Sequence, residues 1–338
     1  MPKGKLVKSL LKAYSENDHQ AVKKIANKII KDEKQKSHHN LAHSLEEIVA
    51  SFNGEEKDNN LMNSSYFNRL PRDEQSGADL ISIIKPSYYL QEVILSEQNN
   101  KIIKDLLKEH YNINDLKSFG LDAKRRLLFC GPPGCGKTMT AHALANEIGL
   151  PLLYVHMDSL VSSYLGDTAS NLREIFKYAE KGRWVIFFDE FDTIGKSRED
   201  EHEHGELKRA VNTLLQMLDN VKIKSLFIAA TNHQHLLDHA AWRRFEEIIY
   251  FEKPNQKQIA NLIKMKLKTF NYSKAVLTDC IKDMIGFSHA QVEQVCHDAI
   301  KESIINDYNK VNTKTFQKSL QKEKRRQNVY NKNIEGER

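Results

Sequence analysis

Residues 131–138 read Gly131-Pro132-Pro133-Gly134-Cys135-Gly136-Lys137-Thr138, and this octet constrains the fold more than any other stretch of the chain. It fits the pattern G-x-x-x-x-G-K-[ST] and lies between the apolar run Arg126-Leu127-Leu128-Phe129-Cys130 and a helical stretch that begins near Met139. The glycines let backbone N–H groups curl around a phosphate at a helix N-terminus. Lys137 would neutralise the outer phosphate oxygens, and the Thr138 hydroxyl would hold Mg²⁺. Cys135 is read as a tolerated small side chain rather than a low-pKa thiol.

The sequence around the loop alternates short apolar runs with amphipathic helical stretches, as a parallel sheet covered by helices requires. Five strands are expected: Arg126–Cys130, Leu152–Val155, Trp184–Phe188, Ser225–Ala230 and Glu247–Phe251. Five such strands with intervening helices suffice for one doubly wound sheet. Beyond Pro254 only helical patterning remains, from Ile259 to Leu267, Leu277 to Ile285 and Ala290 to Ile305, with a last helix near Thr315. The polar stretch from Asn328 to Arg338 reads as a frayed tail. The first 52 residues carry apolar side chains at helical spacing, among them Leu6, Leu10, Val22, Ile25 and Ile29, and form a separate helical module. A polar linker occupies 53–87.

The bulk properties narrow the function classes. The 51 basic residues exceed the 45 acidic ones by only 6 in 338, so a dedicated nucleic-acid polycation is not indicated. No stretch approaches the ~18 uncharged apolar residues of a membrane helix, and the expected location is cytoplasmic. Cys130, Cys135, Cys280 and Cys296 lack metal-binding spacing, and His202-Glu203-His204 reads as part of a solvated loop.

Some fifty residues past the phosphate loop, Val185-Ile186-Phe187-Phe188 runs straight into Asp189-Glu190. A buried strand that ends in two carboxylates beside a phosphate loop suits two tasks. Asp189 would join the Mg²⁺ shell, and Glu190 would polarise a water for attack on the terminal phosphate.

With these motifs the chain resembles the AAA+ ATPases, and within them the protein-remodelling AAA group, over residues 88–325. The match includes Gly120-Leu121, GPPGCGKT, Tyr164-Leu165-Gly166, Asn171-Leu172-Arg173-Glu174-Ile175-Phe176, the FFDE run, Ala230-Thr231-Asn232 and Gly286-Phe287-Ser288-His289-Ala290, all in order. The resemblance implies a P-loop NTPase αβα sandwich with a five-stranded parallel sheet: a large ATPase subdomain at 88–252, a helical lid at 253–325 and a basic, polar tail at 326–338. It implies ATP and Mg²⁺ as cofactors, with nucleotide lying on Pro133, Gly134, Cys135, Gly136, Lys137, Thr138 and Met139. Thr138 and Asp189 would be the metal residues, and Glu190 and Asn232 would act as catalytic base and phosphate sensor. Arg243 and Arg244 would be a finger pair acting on a neighbouring subunit, although the usual Pro-Gly spacer between them is absent.

A finger supplied in trans implies an ATP-dependent homo-oligomer, a hexamer in this family. Tyr164 and Leu165 match a pore loop that grips a protein substrate, and the charged segment 195–208 aligns with a second pore loop. The N-terminal module would choose the substrate or adaptor. In general texture the chain also resembles the single-module ATPases paired with subtilisin-like proteases in bacterial antiviral defence. The expected function is an ATP-driven motor that remodels or threads protein. The alternative is an ATP-gated switch that activates an effector such as a protease. Nucleic acid and membrane are not expected partners.

Overall fold

The computed structural model describes residues 24–26, 28, 70–161, 167–194, 214, 216–218, 225–236, 242–268, 270–272 and 280–336. The chain divides into two units, Met1–Arg69 and Leu70–Arg338. Nearly all of the N-terminal helical module, the loop with Tyr164, Leu165 and Gly166, and the charged segment 195–208 lie outside the described residues.

The second unit is built on a six-stranded sheet: β1 (Ile81–Ile84), β2 (Arg126–Cys130), β3 (Leu152–Val155), β4 (Val185–Phe188), β5 (Leu226–Thr231) and β6 (Glu247–Tyr250). Their spatial order is β1-β3-β4-β5-β2-β6. The five strands expected from sequence are all present and mutually parallel. Central strands β4 and β5 are buried along their whole length, which is why they read as unbroken apolar runs.

The sixth strand is a finding that the five-stranded reading did not contain. Ile81–Ile84 lies within the stretch read as linker, yet it pairs antiparallel with β3, Ile81 opposite Val155 and Ile84 opposite Leu152. The turn before it is pinned by Asp73, which is 2% exposed and accepts from Ser76 Oγ at 2.5 Å and from Asn171 Nδ2 at 3.2 Å. The Ser76 bond and lesser contacts hold the Asp73 carboxyl below its ordinary pKa although burial works against them.

Helices α1 (Glu97–Tyr111) and α2 (Ile113–Ser118) precede β2, and α3 (Lys137–Ile148) follows the phosphate loop. The short α4 (Met157–Leu160) and α5 (Asp167–Ala179) connect β3 to β4. Ser96 caps α1 by accepting from the Asn99 N–H. α1 and α3 pack on each other, and their apolar faces share one core with β2, β4 and β5 through Ile103, Leu106, Leu144, Phe129, Phe187 and Ile228.

After β6 come α6 (Gln256–Lys266), α7 (His289–Ile305) and α8 (Thr313–Gly336). Asn255 and Ser288 open α6 and α7 with reciprocal capping boxes to Gln258 and Gln291. These helices enclose a second core of their own, with Ile259, Ile263, Met284, Val295, Cys296 and Phe316. Helix α8 runs on to Gly336, through most of the stretch read as a frayed tail. Ion pairs from Lys322 and Arg326 to the half-buried Asp298 of α7 tie its middle down. Among the described residues no helix is long and apolar enough to cross a membrane.

Candidate functional site

Strands β2, β5 and β4 are neighbours and parallel, so their C-terminal ends share one edge of the sheet. Residues just beyond those ends meet there. β2 leads into the phosphate loop, β4 into Asp189 and Glu190, and β5 into Asn232. Lys137, the first residue of α3, is 6% exposed. Its Nζ donates to the Gly131 carbonyl at 2.6 Å, the Pro132 carbonyl at 3.0 Å and Asn232 Oδ1 at 2.7 Å. Each ammonium proton therefore has an acceptor. Burial pulls the Lys137 pKa down, against the opposing influence of Cys135 and Asp189. With Oδ1 turned to Lys137, Asn232 keeps its Nδ2 as a donor. Thr138 Oγ1 donates to Asp189 Oδ2 at 2.7 Å.

The loop needs glycine for reasons of space as well as backbone angle. At Gly131, with φ +134°, a Cβ would stand 2.2 Å from the Phe251 carbonyl oxygen. At Gly134, with φ +71°, it would meet Ser288 Oγ at 2.8 Å. Pro133 and Gly136 complete the turn, and Thr138 and Met139 continue the first turn of α3. The Cys135 thiol is buried at 3% exposure, and that burial raises its pKa although Lys137 and the His289 backbone N–H oppose it. It is a packed small side chain whose burial disfavours the thiolate.

Glu190 is exposed and adopts φ 50°, a left-handed conformation that costs a non-glycine residue roughly 1 kcal/mol. Three contacts hold it there. Its N–H donates to Asp189 Oδ1 at 3.0 Å, its carbonyl accepts from the Thr193 N–H at 2.8 Å, and the next residue, Phe191, is 1% exposed. A strained residue just past the end of a buried strand is a mark of a functional site.

Phe191 also reaches the arginine segment. Its ring meets Phe245 edge to face at 6.1 Å, and Phe245 lies beside Phe227 of β5. Glu246 fixes the far side by accepting from the Arg125 N–H at 2.6 Å, the Arg126 N–H at 3.0 Å and Arg126 Nη2 at 2.8 Å. Between these anchors Arg243 is exposed, whereas Arg244 is half-buried and engaged within the chain. The structure thus brings Lys137, Thr138, Asp189, Glu190 and Asn232 to one edge and holds Arg243 and Arg244 on a separate, rigidly rooted segment. Tyr164 and Leu165 lie outside the described residues.

Sequence reasoning missed one pair. Asp192, 1% exposed, accepts from Thr231 Oγ1 at 2.9 Å, and Thr231 Oγ1 in turn accepts from the His233 N–H at 2.9 Å. This buried bond straps the segment after Glu190 to the strand end that carries Asn232. The signal was present as a third acidic residue in Asp189-Glu190-Phe191-Asp192 and a hydroxyl closing an apolar strand.

Several known proteins are similar to the chain. A model of the ATPase family associated with various cellular activities (AAA) matches residues 127–253. An uncharacterized AAA family ATPase of Sinorhizobium fredii is 37% identical over 329 residues, 96% of this chain and 97% of the relative. A putative 26S proteasome regulatory subunit homolog of Methanocaldococcus jannaschii is 33% identical over 68% of this chain and 63% of its own length. An ATP-dependent zinc metalloprotease FtsH of Karelsulcia muelleri is 33% identical over 64% of this chain and 36% of its own. The likeness to the Sinorhizobium protein runs nearly end to end, and the family match spans the phosphate loop, both carboxylates and Asn232. The chain belongs to the AAA family of ATPases.

Proposed function

We propose that this ATPase is an oligomeric motor that remodels or threads a protein, with Glu190 as catalytic base and its site completed by Arg243 of a neighbouring copy. The observation that carries the catalytic part is the pair of bonds Lys137 to Asn232 and Thr138 to Asp189, which join the phosphate loop to both carboxylate-bearing and amide-bearing strand ends. Lys137 lies where it meets the outer phosphate oxygens, and Asn232 Nδ2 donates to the terminal phosphate or to the attacking water. Glu190, exposed at the edge, accepts the water's proton.

The Thr138 hydroxyl and Asp189 carboxylate are hard oxygen donors already in contact, a set that fits Mg²⁺. When bound, Mg²⁺ supplies charge neutralisation across the phosphates. Arg243 is the exposed member of its pair and is the guanidinium we assign to the neighbouring nucleotide, with Arg244 anchoring the segment.

The motor reading draws on the similarity to relatives named as a proteasome regulatory subunit homolog and as FtsH, together with Tyr164-Leu165-Gly166 as substrate grip. The helical module at 1–52 would select the substrate, and a partner protease would receive it. The test is stimulation of phosphate release by an unstructured polypeptide, casein, in the intact protein and in Tyr164→Ala. A threading motor is stimulated by casein and loses that stimulation with Tyr164. Stimulation that survives the substitution, or none at all, contradicts the threading reading.

A further inference from the structure

We infer that His289 is a specificity-determining residue of the ATP site, its imidazole hydrogen-bonding the nucleoside end of the bound nucleotide. The inference rests on the phosphate loop holding the triphosphate as proposed above.

Among the described residues, the lid meets the phosphate loop at the start of α7. The Ala290 N–H donates to the Gly134 carbonyl at 3.0 Å, and the same glycine leaves no room for a side chain against Ser288 and Ala290. His289, between those two residues and first in α7, is therefore fixed beside the phosphate loop. Both its ring nitrogens are buried and have no hydrogen-bond partner. Burial drops its pKa to about 4, so at neutral pH the ring is uncharged and offers one donor and one acceptor. A buried donor and acceptor left unmatched are costly, and native proteins rarely leave them so without a use.

The ring borders a narrow slot of about 10 Å³, whose apolar lining is Ile94, Leu95, Phe251 and Cys135. The slot shares Ile94, Leu95, Ser96 and Gln258 with a cleft of about 830 Å³ between α1 and α6. An unmatched donor and acceptor among apolar side chains, next to a larger cleft, suit the edge of a heteroaromatic base. The other polar side chains of the slot are already engaged or open to solvent. Asn99 Nδ2 donates to the Tyr250 carbonyl at 2.8 Å, Ser96 Oγ accepts from the Asn99 N–H, Gln258 Oε1 accepts from the Asn255 N–H, and Glu252 is exposed. His289 alone among them combines burial with two unspent hydrogen-bonding atoms.

The test compares binding of ATP with binding of inorganic tripolyphosphate, which has no nucleoside, by calorimetry on the full chain. His289→Ala and His289→Phe are expected to weaken ATP about tenfold while tripolyphosphate affinity stays within about twofold. His289→Gln, which keeps a donor and an acceptor, is expected to recover ATP affinity to within about threefold of the unmutated protein. ATP binding unchanged in His289→Phe overturns the inference. So does an equal loss of both ligands in His289→Ala and His289→Phe, which would assign the residue to packing of the lid. Lys137→Ala, losing both ligands, reports on the phosphate site by itself. Should the unmutated protein bind neither ligand, the phosphate-site reading falls and this one with it.

Discussion

The two ends of the nucleotide site are built differently. The phosphate end stands on three adjacent strand ends within one core, and its polar groups are cross-linked by Lys137, Thr138, Asp189, Asn232, Asp192 and Thr231. The slot at His289, which we assign to the nucleoside, borders two cores that remain separate clusters, with Leu95 packed on one and Ile94 on the other. Among the described residues, the backbone–backbone bond from the Ala290 N–H to the Gly134 carbonyl ties lid helix to phosphate loop. On the proposed reading, chemistry that needs fixed geometry falls on the cross-linked half, and recognition of the whole nucleotide depends on how the lid meets it.

That contrast makes the phosphate end the most sensitive to substitution. Lys137→Ala removes the group that spans loop and β5, and phosphate release is expected to fall by at least about a hundredfold. Glu190→Gln is expected to lower release by about 10² to 10⁴ while ATP binding measured by calorimetry is retained. Loss of binding in Glu190→Gln would contradict its assignment to the chemical step.

Backbone substitutions sharpen the comparison in stability. Gly131→Ala drives a Cβ into the Phe251 carbonyl and is expected to cost roughly 2–4 kcal/mol in thermal or urea unfolding. Gly149→Ala has a similar left-handed backbone at φ +73° but open space around it, and is expected to cost about 1 kcal/mol. Equal losses at the two positions would show that crowding at the loop is unimportant.

The lid end is expected to be acid-sensitive. The His289 pKa falls from 6.5 in the unfolded chain to about 4 in the folded one. The unfolded chain therefore takes up the proton first, so the folded state keeps its full stability above about pH 6.5 and loses it as pH falls towards about 4. The loss is roughly 2–3 kcal/mol. Burial lowers the pKa of His110 and His142 too, and these add to the loss with the same sign. Unfolding of His289→Phe between pH 7 and 4 should show a shallower decline than the unmutated protein.

The smallest effect is expected where the two halves meet in water. Lys257 of α6 pairs with Glu97 of α1 at 3.0 Å, but both side chains are exposed. Lys257→Ala is expected to change unfolding stability by no more than about 0.5 kcal/mol. A larger loss would mean that the lid is held by surface charge as well as by the Gly134 bond.

The sequence made the phosphate end legible because its requirements are local. The glycine pattern, the apolar strand and the paired carboxylates each occupy consecutive residues, and five strands appeared within a residue or so of their observed ends. What was not legible depended on distant partners. Ile81–Ile84 is four residues long and acquires its strand character only by pairing with β3 about seventy positions away, so a polar context made it look like linker. The extension of α8 draws on Asp298, on another helix. Asp192 becomes a strap only when β5 brings Thr231 to it. His289 is an ordinary letter in Gly286-Phe287-Ser288-His289-Ala290 until the lid docks on Gly134 and buries its ring.

The most direct test of the account is complementation of phosphate release between two separately inactive proteins, Lys137→Ala and Arg243→Ala, mixed in equal amounts. A site made of an intact pocket from Arg243→Ala and an intact arginine from Lys137→Ala is competent only if the finger acts between copies. Random mixing then restores release to about a quarter of the unmutated level, since one interface in four pairs the two intact halves. Release that stays at the background of the separate variants would contradict a site completed in trans.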